Sequence, residues 1–148
     1  MEVKELGHVV LYVRDLERSR RFYGDVLGWR QVAEIEGRGA VFSAGRTHHE
    51  LLLLEVGHDA TPIPGGRRVG MYHFGLNVGN SDDDLREAYQ HIADHDVTVV
   101  GTADHTVTHS LYILDPDGNE VELYVDVPGV NWRENPEWIV APVRPLRL

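Results

Sequence analysis

The 148-residue chain has no cysteine. Disulfides and thiolate metal sites are therefore excluded, and the absence fits a reducing cytoplasm, where we expect the protein to reside. Long apolar runs are missing too. No stretch approaches the roughly 18 residues of a membrane span, and the charged opening Met1-Glu2-Val3-Lys4-Glu5 does not read as a signal peptide. Positive charge is in short supply: 14 Lys and Arg face 24 Asp and Glu, a net charge of −10. That balance argues against nucleic acid or an anionic membrane as partner. With thiolates excluded, a metal site has to use imidazole, carboxylate or carbonyl oxygen, and nine histidines are on offer. A hydrophobic content of 42% over this length suffices for one domain with a core.

What is present centres on residues 104–124. Asp115-Pro116-Asp117-Gly118 reads as a turn, with Pro fixing φ and Gly able to supply a positive one. Residues alternate on both sides of it. Ser110, Tyr112 and Leu114 share one face before the turn. Glu120, Glu122 and Tyr124 share one face after it, with Val121, Leu123 and Val125 on the other. The pattern is a hairpin with one apolar face and one bearing phenols and carboxylates.

The rest of the chain reads as one unit used twice. Residues 6–13 are β-rich, and Asp15 caps a helical pattern of Leu16, Phe22, Tyr23, Val26 and Leu27 that Gly28 ends. Strands at 29–35, 40–44 and 50–56 follow. After a Pro- and Gly-rich loop at 57–70, a strand at 71–78 precedes a helix opened by Asn80-Ser81-Asp82, a strand at 97–100 and the hairpin. His8/His73, Leu11/Leu76, Val13/Val78 and Leu27/Ile92 are each offset by 65 residues, and Glu50/Glu120 and Leu51/Val121 by 70. Two βαβββ modules are implied, neither able to bury its sheet alone. We expect an α+β domain over 1–148: module one at 1–66, module two at 67–125, and a Pro-rich tail at 126–148 that packs across the domain or on a second subunit.

The repeat places His8 and His73 at related strand positions, with Glu122 on the polar face of the last strand. Equivalent strands are expected beside each other in a symmetric sheet. Two imidazoles and one carboxylate form the facial set of non-haem Fe(II) oxygenases. His58, His91 and His95 read as surface residues.

The two-module layout, Gly7-His8 at a strand start, Phe22-Tyr23 followed by Leu27-Gly28, and Asp115-Pro116-Asp117-Gly118-Asn119 before Glu122 resemble the vicinal oxygen chelate superfamily. The resemblance covers the chain to about Val125 and implies modules forming an incomplete eight-stranded barrel. Members include glyoxalases, epimerases, antibiotic-resistance proteins and extradiol dioxygenases. The more specific resemblance is to type I extradiol (catechol 2,3-dioxygenase-like) enzymes. It implies His8, His73 and Glu122 as ligands of Fe(2+), with Mn(2+) as the alternative ion. It implies catalytic roles for His49, His105 and Tyr112, and a substrate-binding role for His109. A catecholic substrate, O2 and a homo-oligomeric state go with it.

Glyoxalase-like members of the fold are similar to one another in using a fourth protein ligand, on the last strand of the first module. The repeat puts Leu52 there, opposite Glu122 in the comparison, and Leu52 cannot ligate. Glu50 shares its parity and Glu55 has the opposite one, so strand register decides what faces the ion. The alternatives are a metal-dependent lyase, isomerase or thiol transferase, and a metal-free small-molecule binding protein.

Overall fold

Eight strands and two helices appear in the expected order in a computed structural model describing residues 1–148. The chain divides into two units, Met1–Ile63 and Pro64–Leu148. Each holds one four-stranded mixed sheet, as the two βαβββ modules predict, and no strand of one sheet pairs with a strand of the other. No helix is long and apolar enough to cross a membrane.

In the first unit β1 (Val9–Val13) leads to α1 (Leu16–Arg20), which continues as a π-helical stretch, Arg21–Val26. Asp15 caps α1 by accepting the Arg18 N–H, and Gly28 follows the helix at φ 69°. Strands β2 (Gln31–Ile35), β3 (Gly39–Phe42) and β4 (Leu51–Glu55) complete a sheet of order β1-β4-β3-β2. Alternation decides its faces. Leu11, Val13, Ala40, Phe42, Leu51 and Leu53 are buried along with Leu16, Phe22 and Tyr23 of the helix. Val10 and Tyr12 point the other way and remain exposed.

The second unit repeats the plan with β5 (His73–Gly79), α2 (Asp82–Asp94), β6 (Val99–Asp104), β7 (Thr108–Leu114) and β8 (Glu120–Asp126), in order β5-β8-β7-β6. Ser81 caps α2, accepting the Asp84 N–H, while Asp84 Oδ2 accepts the Asn80 N–H at 2.8 Å and the Ser81 hydroxyl at 2.9 Å. Leu85 and Ile92 of α2 are buried with Leu111, Ile113, Val121, Leu123 and Val125. The turn at 115–118 is tied by Asp115, whose Oδ1 accepts the Asp117 and Asn119 N–H groups.

One expectation about pairing fails. Equivalent strands β1 and β5 do not pair in a common sheet; each runs parallel to the last strand of its own unit. The last strand of each module has a neighbour on both edges from its own module, so every ladder closes within a module.

The tail packs on the second unit. Asp104 and Arg144 exchange backbone hydrogen bonds as an antiparallel bridge, and Thr102 Oγ1 donates to the Leu146 carbonyl. A short 3₁₀ turn at Pro136–Val140 precedes this edge segment.

Candidate functional site

Parallel pairing of β5 with β8 sets His73 opposite Glu120 and Gly75 opposite Glu122; antiparallel pairing of β8 with β7 sets Glu122 opposite Tyr112 and Tyr124 opposite Ser110. Directly paired residues share a face. His73, Glu120, Glu122, Tyr112 and Ser110 therefore converge on the sheet face turned away from α2.

Glu122 uses its two oxygens differently. Oε1 accepts the Ser110 hydroxyl at 2.6 Å and the Tyr112 hydroxyl at 3.2 Å. Oε2 lies 3.3 Å from His73 Nε2. No lysine or arginine pairs with this carboxylate. Beside it, a Cβ on Gly75 would come within 3.4 Å of Oε2, so the glycine leaves that side of the oxygen open. The other ring nitrogen, His73 Nδ1, is buried without a hydrogen bond and has Glu120 Oε1 at 3.5 Å.

Tyr112 also meets His105, whose Nε2 is 2.6 Å from the phenol oxygen. His105 is delivered by the β6–β7 turn. There Thr106 takes φ 71°, a strained value for a β-branched residue, and its N–H is held by Asp104 Oδ1 at 2.7 Å. The result is a chain of contacts from His105 through Tyr112 to Glu122. Burial, then the charge and hydrogen bond of Glu122, pushes the Tyr112 phenol up to about 12. At neutral pH Tyr112 is thus a proton holder and donor.

The first unit brings other histidines together. His8 immediately precedes β1 and His49 stands two residues before β4; parallel pairing of those strands puts their rings 4.3 Å apart. His48 and His49 rings are 4.4 Å apart. Partial desolvation, then the His8 and His48 imidazoles, holds His49 below the usual histidine range. Arg46 pairs with Glu50 at 3.2 Å and donates to the Gly7 carbonyl at 2.9 Å, bracing the two strand starts.

Register also settles which residues of β4 share the open face. Val10 pairs with Leu52, as Gly75 pairs with Glu122, so Leu52 is the structural counterpart of Glu122. Glu50 is occupied by Arg46 and the Ala44 N–H. Glu55 lies on the helix side, where it accepts the Leu16 N–H at 2.7 Å.

The glyoxalase/bleomycin resistance protein/dioxygenase superfamily model matches residues 5–123. The chain belongs to this superfamily. Among its relatives, catechol-2,3-dioxygenase of Bacillus subtilis (strain 168) is 32% identical over 136 residues, covering 92% of this chain and 46% of that protein. Biphenyl-2,3-diol 1,2-dioxygenase 2 of Rhodococcus globerulus is 33% identical over 123 residues, covering 82% of this chain and 63% of that one. The chain thus spans less than two-thirds of the length of either dioxygenase. A crystal structure of lactoylglutathione lyase from Agrobacterium tumefaciens superposes with a TM-score of 0.64 at 29% identity, over 84% of this chain and 95% of that chain. The superfamily thus joins dioxygenases and lyases on one metal-binding fold.

Of the seven residues expected at a superfamily site, the structure gathers His73, Glu122, Tyr112 and His105 in the second unit, and His8 with His49 in the first. No group of three or more His, Asp and Glu side chains stands at metal-holding spacing. His109 departs from expectation. Its parity puts it opposite Asp104 and buried Val125, on the α2 side of β7, where Nδ1 is 2.6 Å from Asp82 Oδ1 and Nε2 3.8 Å from Asp104 Oδ1. One residue of offset from Ser110 sends it through the sheet. Sequence reasoning assigns no role to Ser110 and Glu120, although the alternation that places Glu122 on the polar face places them there too.

Proposed function

We propose that the chain is an extradiol dioxygenase that cleaves a catecholic ring and inserts both atoms of O2, using Fe(II). The observation that carries this reading is Leu52 at the position equivalent to Glu122. A lyase of the fold with a fourth protein ligand needs a donor there, and an aliphatic side chain has none. Three ligands leave open positions for a bidentate catecholate and O2.

The donor set suits the ion. Ligands bonded at about 2.1 Å and roughly at right angles are about 3 Å apart, close to the 3.3 Å between His73 Nε2 and Glu122 Oε2. Because both hydroxyl donors sit on Oε1, Oε2 is left for coordination. His73 and Glu122 would hold the metal, with His8 as the third ligand that the extradiol resemblance implies. When bound, Fe(II) supplies charge that acidifies the catechol hydroxyls and a redox centre that couples the ring to O2.

The chain's own groups handle protons and position. The imidazole of His49 or His105 takes a phenolic proton. Tyr112 keeps its phenol proton at neutral pH, and turning that single donor from Glu122 Oε1 to the reacting oxygen positions the substrate, with His105 Nε2 as its other neighbour. The ring then opens beside its two hydroxyls, and catechol plus O2 becomes a hydroxymuconic semialdehyde with no atom lost.

Anaerobic loading with Fe(II), followed by catechol and air, tests the reading. Oxygen uptake with a yellow product is expected, and both disappear in His73→Ala while the circular dichroism spectrum stays unchanged. Tight nickel or zinc binding with thiol-adduct turnover and no oxygen uptake would replace it with the lyase or transferase chemistry.

A further inference from the structure

A cleft of about 360 Å³ opens directly from Glu122, bounded by β8, the β6–β7 turn and the C-terminal segment of the same unit. Strand β8 supplies Glu122, Tyr124 and Asp126 in a row on one face, spaced by the two-residue period. At roughly 3.3 Å per residue the row runs about 13 Å outward from Glu122. Val107 of the turn, Thr108 at the start of β7, and Trp132 and Ile139 of the tail complete the lining. The volume lies at the lower end of the roughly 300–1,000 Å³ of small-molecule sites.

Two features of this lining define what fits. Most of the lining is apolar or aromatic: Val107, Tyr124, Trp132 and Ile139. Its charged groups are both acidic, Glu122 and Asp126, and no lysine or arginine lines the cleft. The guanidinium of Arg133 is stacked on the Trp132 ring at 4.3 Å from its centre. Placing an anionic substituent beside Asp126, with no cation in the lining, is costly, whereas an uncharged aryl or alkyl group gains apolar contact.

We infer that this cleft selects the ring substituent: the substrate is a catechol bearing an uncharged apolar group, Trp132 and Ile139 are its specificity-determining contacts, and Asp126 excludes carboxylated catechols. The inference rests on the dioxygenase reading, since the hydroxyls must be anchored near Glu122 for the substituent to lie along β8. It gives the Pro-rich tail a task. The edge bridge of Arg144 with Asp104 and the hydrogen bond from Thr102 to the Leu146 carbonyl anchor the end of the segment that carries Trp132 and Ile139.

The test measures anaerobic binding of 4-phenylcatechol and 3,4-dihydroxybenzoate by calorimetry to the Fe(II)-loaded protein, and oxygen uptake with both and with catechol. Wild type should bind 4-phenylcatechol at least about tenfold more tightly than the carboxylated ring. Trp132→Ala should weaken 4-phenylcatechol by about tenfold and shrink the preference, with Trp132→Phe intermediate. Asp126→Asn should strengthen 3,4-dihydroxybenzoate several-fold, by about 3-fold or more. Equal affinity for the two rings, or a preference unchanged in Trp132→Phe, Trp132→Ala and Asp126→Asn, overturns the cleft assignment even when catechol is cleaved. Tryptophan-dependent binding without oxygen uptake on any ring overturns the reaction and leaves the cleft standing. Thermal denaturation of each variant separates misfolding from lost contact, and Asp126→Asn decides the matter if Trp132→Ala unfolds.

Discussion

Ser110 is fully buried, and its hydroxyl has one carboxylate oxygen, Glu122 Oε1, at 2.6 Å. Ser110→Ala removes a hydrogen bond to a charged group and leaves Tyr112 as the remaining hydroxyl on that oxygen. A loss of about 1–3 kcal/mol is expected in urea unfolding, together with weaker Fe(II) retention in a chelator competition. Tyr112→Phe keeps the ring and deletes the hydroxyl that joins His105 to Glu122. Turnover should fall by about 10²-fold, with metal content unchanged. The same variant has a stability signature. In the unfolded chain the phenol ionises near its ordinary 10.0, in the fold only at about 12. Over that interval the folded state keeps a proton that the unfolded state releases. Stability from this group is therefore complete below pH 10 and declines as pH rises to 12. Denaturant titrations across that range should show a smaller alkaline loss in Tyr112→Phe than in wild type.

At the scale of elements, α2 depends on a close approach at its start. A Cβ on Gly79 would lie 2.3 Å from Asp84 Cβ, the residue whose carboxylate holds the Asn80 N–H and the Ser81 hydroxyl. Gly79→Ala must move the cap. It should destabilise the protein by more than Ser81→Ala, which removes the two hydrogen bonds of the capping hydroxyl at a cost of about 1 kcal/mol. Melting temperatures of the two variants order them. Strand β6 has a different exposure: beyond β7 its free edge is covered by the Arg144 bridge. Deleting residues 142–148 bares that edge, and concentration-dependent light scattering should rise at temperatures where the full chain stays clear.

At the scale of the molecule, the two units carry equivalent histidines, His8 immediately before β1 and His73 at the start of β5. Fe(II) stoichiometry measured anaerobically should fall on His8→Ala, His73→Ala or Glu122→Ala. His109→Gln should retain the metal and instead lose fold stability, because His109 ties β7 to Asp82 on α2. Loss of iron in His109→Gln would mean that His109 belongs to the site after all.

Much of this was legible in the sequence because strand alternation is a local rule. The period-2 pattern around Asp115-Pro116-Asp117-Gly118 determined which side chains share a face with Glu122, and the 65-residue offset determined that His8 and His73 are equivalent. The cap residues Asp15 and Ser81 announced both helices. Other features depended on register and on contacts between distant segments. Pairing of Val10 with Leu52 decided that Leu52, not Glu50 or Glu55, is the counterpart of Glu122. The strained turn at Thr106 decided that His105 reaches Tyr112. A single residue of parity decided that His109 faces α2 instead of the site, and packing of Trp132 and Ile139 near Glu122 turned an unpatterned tail into the wall of a cleft. Faces follow from a periodicity written along the chain, whereas which atoms meet across a sheet is fixed only when the strands pair and the tail docks.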